Sequence, residues 1–157
     1  MEPLDFIKTA RELTQAKGGK PRQTNLRRAS STAYYAVFHY LARCGADLLV
    51  GGPGASKSVP AWDQVYRALE HGYSKDRCKD GVIITQFPQE IQDFANTFVS
   101  LQTKRHLADY APNERFYKSA VITDIDSAEY VIKQMQNVSK KDKRAFAALV
   151  LLRKRRG

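Results

Sequence analysis

The sequence predicts an all-α protein: an antiparallel up-and-down bundle of four or five helices with short flanking helices. Two long stretches carry most of this. Asn25–Leu49 holds no Pro, and Phe87–Asp109 has one only in its first turn. Both repeat apolar residues at three- and four-residue steps, which places them on one face of a helix. The third observation is the shortage of strand signals. Only Val82–Ile84 reads as a brief extended piece, and it has no strand partner in view.

In order, residues 3–16 open with Pro3, suited to a first helical turn, and set Phe6, Ala10 and Leu13 on one side. Residues 17–23 (KGGKPRQ) read as a loop, after which Thr24 or Asn25 can cap the first long helix. That helix carries a packing stripe of Leu26, Ala29, Ala33, Val37, Tyr40 and Cys44. A second, polar stripe holds Arg28, Thr32, Tyr35 and His39. The helix ends near Val50. Gly51–Ser58 narrowly misses the phosphate-loop pattern, because Ser56 stands at the second Gly and no strand precedes it, so a plain loop is expected.

Ala61–Glu70 is a short helix packed by Trp62, Val65 and Leu69, and His71 beside Gly72 is expected at its last carbonyls. Residues 72–80 read as polar loop. In the second long helix Phe87, Ile91, Phe94, Phe98 and Leu101 form the stripe, which extends to Arg105 and Ala108. An Arg on that line needs a partner, and Asp109 stands four residues on. His106 points roughly 100° away from Arg105 around the helix. After a turn at 110–118, Thr123 and Asp126 resemble a capping box. The next helix shows Ile125, Ala128, Ile132 and Met135 on one face. Residues 137–143 interrupt it, and Ala145–Leu152 forms a last helix.

The net charge is +10 over 157 residues, but residues 140–157 alone hold eight bases against one acid, a net of +7. These are Lys140, Lys141, Lys143, Arg144, Arg153, Lys154, Arg155 and Arg156. The chain therefore divides into a near-balanced bundle, 1–139, and a basic C-terminal helix or tail, 140–157. That segment can be a solvated tail, a phosphate-binding element, or an interfacial membrane helix, with nucleic acid ranked above membrane. No metal site is expected, since three His and two Cys lie at unrelated spacings, and no cofactor is implied. The start lacks a signal-peptide pattern and no apolar run is long enough to span a membrane, so a cytoplasmic protein is expected.

RRASSTAYYAVFHYLA (Arg27–Ala42), followed roughly sixty residues later by KRHLADYAP (Lys104–Pro112) and a further helix, resembles the HEPN superfamily of small helical bundles. The likeness covers about residues 3–137. It implies a four- or five-helix bundle, often homodimeric. Many members are metal-independent ribonucleases, toxins of toxin–antitoxin pairs or defence effectors, and others are noncatalytic. Their nucleases carry an Arg and then a His near the end of a late helix. Arg105 matches the Arg, but Tyr110, Ala111 and Pro112 stand where the His is expected. The ADY version is similar to branches without the usual motif.

Metal-free RNA cleavage needs a base, an acid and a cation at the phosphorane. His39 is the candidate proton shuttle, Arg105 or Arg28 the phosphate clamp, and Tyr35 an orienting group, with His106, Asp109 and Tyr110 in support. The competing view is structural, with Arg105–Asp109 a buried ion pair and His39 bonded inside the core. Expected partners are a second copy of the chain, RNA, and a cognate antitoxin or effector protein.

Overall fold

In the computed structural model, which describes residues 2–15 and 19–156, the chain is all-helical. The helices are α1 (Pro3–Leu13), α2 (Gln23–Leu49), α3 (Val59–Arg67), α4 (His71–Lys79), α5 (Gly81–Ile84), α6 (Gln89–Tyr110), α7 (Lys118–Gln134) and α8 (Lys140–Leu151). A short 3-10 turn, Met135–Asn137, extends α7. No strand occurs among the described residues, and no helix there is long and apolar enough to cross a membrane.

The central element is α2. Its small residues Ala29, Ala33, Ala36, Ala42 and Ala46 are fully buried, so neighbouring helices approach closely on several sides. Contacts define the directions. Arg27 meets Ala108 while Tyr40 meets Phe94, so α6 runs antiparallel to α2. Phe6 meets His39 while Glu2 meets Arg43, so α1 does the same. Lys104 reaches Asp124 from α6 to α7, and Arg11 of α1 ties α7 at Asp126 and Glu129. The predicted stripes are the core: Ile91, Phe94, Phe98 and Leu101 on α6, and Ile125, Ala128, Ile132 and Met135 along α7 and its extension.

α8 belongs to the same core. Phe146, Ala147, Val150 and Leu151 are buried, with Phe146 edge-on to Phe87 and Phe94. Gly45 lets α8 approach α2, for a Cβ there would lie 2.5 Å from Leu151 Cδ1. The basic segment thus starts on a packed helix, and only residues 152–156 leave it as non-helical chain.

Several local expectations are corrected. α1 stops at Leu13; of the stretches expected around the first loop, residues 16–18 lie outside the described residues. α2 starts earlier than expected, with Arg22 at its N-cap and no side-chain bond from Thr24 or Asn25. Ser58 caps α3, accepting from the Ala61 amide at 3.3 Å. Residues 72–79 belong to α4, not a loop, with Ser74 and Cys78 turned into the core. Gly81–Ile84 is a helical turn capped by Asp80, whose carboxylate accepts from the Val82 amide at 3.1 Å. Thr123 and Asp126 lie inside α7, where Thr123 bonds back to the Ser119 carbonyl and Asp126 pairs with Arg11. The reciprocal cap sits instead at Ser139. Its Oγ accepts from the Asp142 amide at 3.1 Å and donates to Asp142 Oδ2 at 3.0 Å, starting α8 inside the expected interruption.

Because Phe146 is sealed among aromatic rings, Phe146→Ala should lower stability by about 3–5 kcal/mol. Urea denaturation checks this. A loss near zero would show α8 to be an appendage.

Candidate functional site

The site begins with the way α6 ends. The last carbonyls of a helix have no partner within it, and the last turn of α6 carries no basic residue. Arg27 of α2 fills the gap. Its guanidinium donates to the carbonyls of Ala108 (3.0 Å), Ala111 (2.9 Å) and Pro112 (3.2 Å), and also to Glu114, while lying 5.1 Å over the Phe116 ring. Gln23 adds a reciprocal pair to the Phe116 backbone at 2.7 and 2.9 Å. The turn between α6 and α7 is therefore held on the first turns of α2.

This clamp places α6 side chains against the polar stripe of α2. Arg105 lies with Cζ 5.9 Å from the ring centroids of both Tyr34 and Tyr35. Its Nε is 3.1 Å from Asp109 Oδ2, confirming the i+4 partner, and Ser31 Oγ donates to Asp109 Oδ1 at 3.1 Å. The angle to Asp109 is too poor for a hydrogen bond, so the buried Nε is left without one. With 16% of its side chain exposed, Arg105 is largely committed to the protein. Burial opposes its charge, but Tyr35, Asp109 and Tyr34 outweigh that and raise its pKa.

Beside this pair opens a cleft of about 610 Å³. It gathers Arg28, Thr32, Tyr35, Asp109 and Tyr110, so four of the predicted residues share one surface. Arg28 and Tyr110 are exposed, whereas the Thr32 hydroxyl is turned back on the Arg28 carbonyl at 2.6 Å. His106 is also exposed, its ring 4.9 Å from that of Tyr110.

His39 does not line this cleft. It sits on the α1–α3 side of Tyr35, stacked on Phe6 at 4.9 Å with Nδ1 2.7 Å from the Tyr66 hydroxyl. Tyr35 lies between it and Arg105, with ring centroids 6.3 Å from His39, and Phe38 and Tyr34 form a second route. The sequence missed the companion of His39. His71 opens α4 rather than capping α3; it stacks on Phe38 at 4.2 Å and its Nδ1 meets the Tyr34 hydroxyl at 2.6 Å. Burial pushes both imidazoles below their ordinary pKa, and His71 is lowered further by the charges of Arg105 and His39. Burial also raises Tyr34 and Tyr66, so their phenols stay protonated. A phenol donating to Nδ1 leaves the ring proton on Nε2.

The basic residues divide into separate groups. Lys140, Lys143 and Arg144 line a cleft with α2, Lys141 is exposed, and Arg153 is bonded to Glu70 at 2.6 Å and lies 4.4 Å over Tyr73. Lys154, Arg155 and Arg156 are exposed on non-helical chain. Among the described residues no group of three His, Cys, Asp or Glu could hold a metal ion. Burial lifts the thiols of Cys44 to about 11 and Cys78 to about 12, so neither is a nucleophile near neutrality.

No protein-family model, curated protein or solved structure matches the chain.

Acid should weaken the fold through the two imidazoles. Their folded pKa values lie below the ordinary histidine value of about 6.5, so the unfolded chain takes up protons first. Their stabilising contribution is complete above that value and is lost as pH falls toward the folded values. Thermal melts between about pH 7.5 and 5 should show Tm declining. The decline should flatten in a His39→Gln/His71→Gln variant; an unchanged slope would assign it to other groups.

Proposed function

We propose that the protein is a noncatalytic RNA-binding module of HEPN type, cytoplasmic and acting as a homodimer within a toxin–antitoxin or defence-type system. The observation that carries this reading is the α2–α6 cleft, where exposed Arg28 and Tyr110 flank Tyr35. A cation beside aromatic faces suits a single-stranded segment, with a phosphate on Arg28 and a base stacked on Tyr110. Tyr117, also exposed and 5.9 Å from the Arg115 guanidinium carbon, continues the same pairing beyond α6. A cognate antitoxin or effector protein is the expected protein partner.

Two features favour binding over cleavage. The proton shuttle expected at His39 is bonded to Tyr66 and lies outside the cleft. The phosphate clamp expected at Arg105 is held by Asp109 and two tyrosine rings. The second reading, a metal-independent endoribonuclease with a composite site between two copies, draws on His106. That imidazole is exposed next to Tyr110, with the rings 4.9 Å apart, and would serve a second copy.

Fluorescence anisotropy with a labelled single-stranded RNA tests the binding reading. Arg28→Ala/Tyr110→Ala should weaken affinity by about 1–3 kcal/mol for the lost stack, and the Arg28 change should shallow the salt dependence. Affinity equal to that of the unaltered protein would overturn it. The same RNA, incubated in EDTA, should stay intact; cleavage abolished by His106→Ala would favour the nuclease.

A further inference from the structure

The N-terminal half of α2 lines the cleft described above, and its C-terminal half lines another. This second cleft, of about 540 Å³, lies between α2, the end of α7 and the first turns of α8. Its size suits a small organic molecule better than a bare ion. Tyr40, Leu48 and Ile132 supply an apolar lining. Lys140, Lys143 and Arg144, at i, i+3 and i+4, share one face of α8 and supply the charge.

The charges are unequally matched. The lining acids Glu2 and Asp47 are both engaged by Arg43, and Asp47 also accepts from Trp62 Nε1 at 2.9 Å. Lys140, Lys143 and Arg144 have no ion pair among the described residues. Arg144 Nε donates to the Leu48 carbonyl at 3.3 Å, which holds its guanidinium against the end of α2. Tyr40 and Cys44 add no negative charge, since burial raises both. Three cations with no ion pair therefore line one wall of the cleft beside an apolar surface.

We propose that this cleft binds a phosphomonoester bearing an apolar or aromatic group. The phosphate lies against Lys140, Lys143 and Arg144, and the organic portion rests on Tyr40, Leu48 and Ile132. A dianion matches three cations, whereas a single carboxylate is satisfied by one guanidinium. The same chemistry can come from a small phosphorylated metabolite or from the 5′-phosphate end of an RNA.

Phenyl phosphate is the probe, followed by calorimetric titration and by the fluorescence of Trp62, which is coupled to the cleft through Asp47. Saturable binding should exceed that of inorganic phosphate and of phenol. Lys140→Gln/Lys143→Gln and, separately, Arg144→Gln should each weaken it by about tenfold or more without lowering Tm. Arg28→Ala/Tyr110→Ala should leave it unchanged, so this site and the proposed RNA cleft fail independently. In that Arg28/Tyr110 variant, tighter binding of 5′-phosphorylated than of 5′-hydroxyl RNA would identify an RNA end as the source. Equal binding of the two RNAs, with phenyl phosphate still bound, would identify a small molecule. Absence of saturable phenyl phosphate binding, or equal affinity in the α8 variants, would overturn the site.

Discussion

The guanidinium of Arg27 is the constraint on which the arrangement of the molecule's chemistry depends. A helix that ends without a glycine or a basic last turn leaves carbonyl oxygens turned outward, and α6 is such a helix. Arg27 turns both terminal nitrogens of a planar fork onto that end and onto the turn beyond it. Its charge is dispersed over carbonyl dipoles and the Phe116 face, so no carboxylate is needed there. Because this side chain, with Gln23 and Ser31 in support, joins the start of α2 to the end of α6 and the turn beyond it, it helps set the depth of Asp109 and Tyr110 relative to Tyr35. The ion pair of Arg105 and its two tyrosine contacts come after it.

What was legible in the chain was whatever repeats along it. The stripes of α2, α6 and α7 follow from helical spacing alone, and most of their members are buried, with Tyr40 and Cys44 at the end of the α2 stripe and Phe87 ahead of α6 only half-buried. The pairing of Arg105 with Asp109 was readable for the same reason, since both lie on one helix four residues apart. α4 was not readable. HGYSKDRCK buries only Ser74 and Cys78, so it has no apolar stripe, and the helix is held by neighbours distant in sequence. His71 illustrates the difficulty. Its partner Tyr34 is 37 residues away, and no local pattern connects them.

Capping shows a similar limit. Thr123 and Asp126 have the residue types of a helix start, yet Tyr117 precedes the first turn of α7 with no side-chain bond. The hydroxyl of Thr123 is content with a carbonyl of its own helix. Ser139 and Asp142, three apart, form the real reciprocal cap at the point where the sequence suggested only a break. That cap turns one run of lysines and arginines into two surfaces. The helical part presents its cations to a concave wall, while residues 154–156 stand free on the far side of Arg153.

Cys78 carries a consequence of a different kind. Its sulfur is buried on α4, the helix whose first residue completes the histidine cluster. It lies at the wall of a small cleft with Ile84 and Val99, so an alkylating reagent reaches it when the packing around the end of α4 loosens, and the suppressed thiolate keeps background reaction slow. The rate of alkylation at Cys78, resolved from that at the half-buried Cys44, is therefore an internal clock for that loosening. When the opening runs back to His71, at the other end of α4, the Tyr34–His71 bond breaks as well and the aromatic cluster meets water.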